Sequence, residues 1–164
     1  MSHAGTLKVT TPSEREIVMT RMFDAPRTVV FDALTTPAIV QRWLLGPAGW
    51  TMPVCEIDLR MDGGYRYVWR RTANGSEMGV RGVYRAVEPP ERLVYTEAFD
   101  EPWYPGEAVI TTILTEQNGK TTLTGTMRFE SREARDAVIA SPVERGVAES
   151  YDRLAEVLAT STPA

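Results

Sequence analysis

Between Trp50 and Phe129 the chain repeats one pattern, a short run of alternating apolar and polar residues closed by a turn, six times in succession. The runs are Trp50 to Asp58, Tyr65 to Arg71, Met78 to Val87, Arg92 to Phe99, Ala108 to Glu116 and Lys120 to Phe129. Alternation with period two is the signature of a strand with one covered face. The separators Asp62-Gly63-Gly64, Asn74-Gly75, Glu88-Pro89-Pro90-Glu91 and Asn118-Gly119 supply residues that tolerate positive φ, or a proline that pre-sets a turn. Links this short leave no room for crossover helices, so the strands are expected to form an antiparallel meander.

The flanks of the meander complete the topology. Residues 1–13 are small and polar and read as a flexible tail, and residues 14–160 as a single domain. Glu16 to Phe23 is a first strand with Ile17, Met19, Arg21 and Phe23 on one face. Pro26 suits the first turn of a helix carrying Val29, Val30, Ala33 and Leu34; Thr36-Pro37 opens a second short helix with Ile39, Val40 and Trp43, Thr36 serving as cap. Ser131 to Thr160 is helical in two pieces, with Ser141-Pro142-Val143-Glu144 read as a capping box. Val143, Val147, Ser150, Tyr151, Leu154 and Leu158 form the apolar face of the second piece. The expected architecture is α+β, a helix-grip fold: a curved antiparallel seven-strand sheet, two short helices after its first strand, and a long C-terminal helix packed across it.

Several function classes are disfavoured. With 18 basic and 22 acidic residues the net charge is −4, a poor match to nucleic acid. No stretch approaches the roughly 20 apolar residues needed to span a bilayer, and no secretory leader is evident, so a cytoplasmic protein without membrane association is expected. Cys55 is the lone cysteine and, without a histidine to activate it, reads as a small buried hydrophobe. His3, the single histidine, sits in the tail, so neither a nucleophilic triad nor a metal site can be assembled around it, and no cofactor or metal is expected. Gly63-Gly64 lacks the spacing and the following helix of a phosphate loop.

Local strings resemble one family. Phe23-Asp24-Ala25-Pro26, Val30-Phe31-Asp32-Ala33-Leu34-Thr35, Trp43, Cys55-Glu56-Ile57-Asp58-Leu59-Arg60 with Gly63-Gly64, and Gly82-Val83-Tyr84 carry the likeness. Pro89-Pro90-Glu91-Arg92-Leu93-Val94-Tyr95-Thr96 and Glu149-Ser150-Tyr151-Asp152-Arg153-Leu154 complete it, spanning Glu16 to Leu158. The chain is similar to the bacterial homologues of the activator of heat-shock protein 90 ATPase, within the START-like (SRPBCC, polyketide cyclase and birch-pollen-allergen-like) superfamily. That resemblance implies the helix-grip fold and a cavity between sheet and terminal helix that receives apolar molecules; a minority of the superfamily catalyses cyclisation or hydration there. The eukaryotic activator has a separate N-terminal domain for the chaperone, and this chain has no room for one, so a chaperone ATPase is a candidate partner by fold analogy alone.

Alternation places Tyr65, Tyr67 and Trp69, then Leu93, Tyr95, Glu97 and Phe99, then Leu123, Met127 and Phe129 on the concave side. With Trp43, Tyr84, Val147 and Tyr151 they are candidate ligand-binding residues; the alternative is that they only fill a core. Glu97 is the candidate acid or base, with Arg21 as counter-charge and Tyr67 or Tyr95 as co-donors, unless strand irregularity turns it outward. Glu56 and Asp58 read as turn and edge residues rather than a catalytic pair. Trp50, Trp103 and Tyr104 occupy loops, as a lid or as ordinary packing. Binding of a small hydrophobic or aromatic ligand is the leading function, no catalytic motif being recognisable, with a cofactor-independent cyclase or hydrolase and a chaperone partner as alternatives. A homodimer is the candidate assembly.

Overall fold

The computed structural model describes residues 7–161. Eight strands form one antiparallel sheet: β1 (Lys8–Thr10), β2 (Glu16–Phe23), β3 (Trp50–Ile57), β4 (Gly64–Arg71), β5 (Glu77–Glu88), β6 (Arg92–Phe99), β7 (Ala108–Gln117) and β8 (Lys120–Arg128). Four helices accompany them: α1 (Arg27–Thr35), α2 (Pro37–Trp43), α3 (Arg132–Ile139) and α4 (Val143–Ser161). The sheet order is β1-β2-β8-β7-β6-β5-β4-β3. The meander therefore runs without interruption from β3 to β8, and α1 and α2 carry the chain from β2 to the opposite edge.

The sheet has one strand more than expected, because Lys8–Thr10 pairs with β2 through Val9 opposite Met19. The tail reading is corrected there: residues 1–6, with His3, lie outside the described residues, and Lys8–Thr10 is strand. Of the two expected caps, Thr36 stands at the N-cap of α2 and the Ser141 box does not form. Thr36 ends α1 and begins α2 through its backbone carbonyl, which accepts from the amides of Ile39 and Val40, and its side chain makes no capping bond. Ser141 is no capping box, since its hydroxyl donates back to the Val138 carbonyl; the side-chain cap is Ser131, whose Oγ accepts from the Ala134 amide at 3.1 Å and starts α3. Of the turns, Asn118-Gly119 takes positive φ at both residues, as a tight hairpin requires, whereas the β3–β4 turn places it on Asp62 rather than on either glycine.

The core beneath the helices is divided. One cluster joins Phe23, Val30, Phe31, Trp43, Tyr65, Tyr84, Leu93, Leu114, Leu123, Leu154 and Leu158; the other joins Ile17, Met19, Tyr104, Ala108, Phe129, Ala134 and Val138. The C-terminal half of α4 belongs to the first, while Val143 and Val147 near its start pack on the second. A fully buried side chain such as Leu154 contributes about 1.5–3 kcal/mol, so these two clusters anchor both ends of the helix.

Candidate functional site

Between the two clusters the inner face of the sheet carries small residues where β7 and β8 cross beneath α4. The register aligns Met19, Gly125, Thr112 and Leu93 in one row across β2, β8, β7 and β6. The next row is Ile17, Met127, Ile110 and Tyr95, and beyond it Phe129, Ala108 and Glu97 lie side by side. Gly125 shares its face with Leu123 and Met127, and a Cβ added there would meet nothing nearer than the Met19 carbonyl at 3.8 Å. Gly125, Thr112 and Ala108 are the short residues of these rows, and the Gly125 position is in ordinary van der Waals contact with Met19 and Leu123.

The predicted site residues divide accordingly. Trp43, Tyr65, Tyr84 and Phe129 are packed core, each no more than 5% exposed. Trp43 donates its indole N–H to the Ala33 carbonyl at 2.9 Å. The half-buried set is Tyr67, Trp69, Tyr95, Glu97, Phe99, Met127, Val147 and Tyr151. Burial is the largest influence on the Tyr67, Tyr95 and Tyr151 hydroxyls and on the Glu97 carboxyl, although all four retain accessible surface.

The rings are fixed by their neighbours. Tyr151 of α4 meets Phe23 edge-on at 5.6 Å between centroids and lies 6.0 Å from Trp43. Tyr65 lies 4.9 Å from Tyr67 and 5.5 Å from Tyr95, so β4 and β6 contribute to one aromatic group across β5. That crossing depends on Gly82: a Cβ there would sit 2.5 Å from the Tyr65 ring and 1.9 Å from the Thr96 carbonyl. The Tyr65 hydroxyl donates to that carbonyl at 2.6 Å, and the Val83 amide donates to Thr96 Oγ1, where the β5–β6 ladder is interrupted. Trp69 donates to the Leu44 carbonyl at 2.7 Å, while Ser150 and Arg153 bind the Gly46 amide and carbonyl, tying the α2–β3 loop to α4.

Glu97 faces inward, as its parity predicts. Burial raises its pKa from 4.5 to about 7, partly offset by the Tyr104 hydroxyl, which donates to Oε1 at 3.4 Å. The expected counter-charge is corrected: Arg21, buried beneath α4, has its ion pair with Asp152 at 3.4 Å and stacks over Phe23. Its sequence parity was right, but β2 and β6 are separated by β8 and β7. Tyr104 is the residue that sequence reasoning placed only in a loop; its ring packs on Phe99 and Phe129, and a loop carries no periodicity to reveal that. The loop is positioned by Glu130, whose Oε2 accepts from the Glu107 amide at 2.8 Å.

The family model described as "Activator of Hsp90 ATPase homolog 1-like protein" matches residues 24–159. The chain belongs to that family, and with it to the START-like superfamily. A crystal structure of a Rhodobacter sphaeroides protein is 32% identical, covers 95% of this chain and 99% of its own, and superposes with a TM-score of 0.90. Protein Ms6760 from Mycobacterium smegmatis, 21% identical over 98% of this chain and 100% of its own, has a TM-score of 0.83. An AHSA1-like protein from Aeromonas hydrophila, 16% identical over 86% and 94%, has a TM-score of 0.67. These last two share the fold. No curated protein matches the chain.

Within this family's fold, two concavities also open at strand ends. One of about 370 Å3 is lined by Glu56, Ile57, Asp58, Gly64, Tyr65 and Arg66; Asp58 is exposed there and paired with Arg60. The other, about 300 Å3, lies beside Phe99, Tyr104 and the Pro102–Gly106 segment. Trp103 is 42% exposed against Phe99 and Tyr104, whereas Trp50 opens β3 and stacks under Arg71, correcting its loop placement. Cys55 is half-buried rather than buried, its thiol pushed up to about 11 by burial and then by Glu56. Among the described residues no cluster of His, Cys, Asp and Glu is arranged to hold a metal ion, and no helix is long and apolar enough to cross a membrane.

Proposed function

We propose that the protein binds a small apolar, ring-bearing molecule in the space between the two core clusters, beneath α4. What supports this reading is the half-buried set itself: Tyr67, Tyr95 and Tyr151 pack at the edge of the first cluster and Met127 and Val147 at the edge of the second, with the short residues Gly125 and Thr112 in the row between Met19 and Leu93. Apolar walls give affinity there, and the hydroxyls with Glu97 fix orientation. Titration with tryptophol, followed by methyl NMR, tests this. The expected result is saturable shifts at Met127 and Val147; shifts confined to the strand-end concavities, or none, contradict it.

A second reading, proton-transfer catalysis, has one observation in its favour: Glu97 titrates near neutrality beside the Tyr104 hydroxyl. Loss of nitrophenyl-ester turnover in Glu97→Gln with tryptophol binding retained supports it; unchanged turnover removes it. Partnership with a chaperone ATPase rests on the family relationship and is tested by ATPase stimulation in a purified mixture. Cytoplasmic residence, proposed with it, is tested by fractionation.

A further inference from the structure

We infer that the bound molecule carries a protonated amine, seated against the Glu97 carboxyl within the ring cluster of Tyr65, Tyr95, Phe99 and Tyr104. This assignment rests on the ligand-binding reading above and gives the ligand a polar end.

Glu97 lies two residues from both Tyr95 and Phe99 on one face of β6, and Tyr104 packs on Phe99 with ring centroids 6.1 Å apart. Tyr65 reaches the same place from β4, edge-on to Tyr95 at 5.5 Å. Proximity to Glu97 is felt by Tyr65, Tyr95 and Tyr104 alike, since a charge on that carboxyl disfavours ionisation of all three. The carboxyl is thus enclosed by rings from two strands and a loop.

The polar ends of those rings serve other groups. Tyr65 donates to the Thr96 carbonyl at 2.6 Å, and the Tyr95 hydroxyl interacts with Thr112. Glu97 is left with one long bond from Tyr104, and among the described residues it joins no ion pair. A carboxylate enclosed by apolar rings is costly unless a cation accompanies it. A ligand ammonium answers both features, giving a charge-assisted bond to the carboxylate and lying against the negative faces of aromatic rings. A neutral hydroxyl offers the first only weakly and the second not at all.

Tryptamine and tryptophol differ by ammonium against hydroxyl on the same indole-ethyl frame, so calorimetry of both at about pH 8, where an amine is charged and Glu97 ionised, isolates the interaction. Tryptamine is expected to bind the native protein about tenfold more tightly or better, as charge-assisted bonds exceed neutral ones. In Glu97→Gln the ratio of tryptamine to tryptophol affinity is expected to fall below about twofold. Equal affinities in the native protein, or a preference that survives in Glu97→Gln, overturn the amine assignment and leave the apolar site standing. Absence of binding by either compound overturns both.

Discussion

Replacing Glu97 with glutamine removes the conflict between charge and burial at the centre of the lining while keeping a group that can accept from Tyr104. In the folded protein the carboxyl titrates at about 7 against 4.5 in a solvated chain. Between those values the folded protein holds a proton that the unfolded chain has released, so stability falls as pH rises through that window and is constant above it. The full shift corresponds to about 3 kcal/mol. Because Glu97 keeps contact with an accessible space, a loss of about 2 kcal/mol is the appropriate expectation, or about 4–8 °C in Tm for a chain of this size. Thermal melts of native protein and Glu97→Gln between about pH 5 and 8 measure it, since every other titrating group is common to both. The variant should gain on the native protein as pH rises. Curves that stay parallel across that interval refute the placement of Glu97 in an enclosed, cation-free site.

Three further outcomes follow from the packing. Gly82→Ala drives a Cβ to 1.9 Å from the Thr96 carbonyl, backbone that cannot swing away, and should cost about 2 kcal/mol or more in urea unfolding; no loss contradicts the crossing of Tyr65 over β5. Tyr65→Phe leaves the Thr96 carbonyl without its 2.6 Å donor and should destabilise by about 1–3 kcal/mol by the same measurement, while an unchanged midpoint means that the carbonyl finds another donor. Gly125→Phe adds a ring on the inner face beside Met19 and Leu123 and should abolish tryptophol binding by calorimetry at a cost of no more than about 1–3 kcal/mol; severe unfolding would mean that no space for a ligand lies there.

The fold was legible because β-alternation and hairpin punctuation persist through the meander: β2 and β6 have the bounds expected from their patterns, and Asn118-Gly119 turns as its residue types require. Three residues at Lys8–Thr10 offer too few alternations to announce a strand, so β1 was hidden. Parity correctly turned Tyr65, Tyr95 and Glu97 inward, but parity cannot say whether an inward ring packs or lines a gap. That depends on what stands across the sheet, as Gly125 and Thr112 do between Met19 and Leu93. Arg21 shows the same limit: its face could be read, whereas its partner Asp152 lies on a helix more than a hundred residues along the chain.

Xenon enters apolar cavities without specific chemistry, so a xenon-pressurised crystal tests the divided core most directly. Density enclosed by Tyr95, Gly125, Met127, Val147 and Tyr151 is the predicted result. A xenon-free interior, with those side chains in mutual contact, would contradict the account.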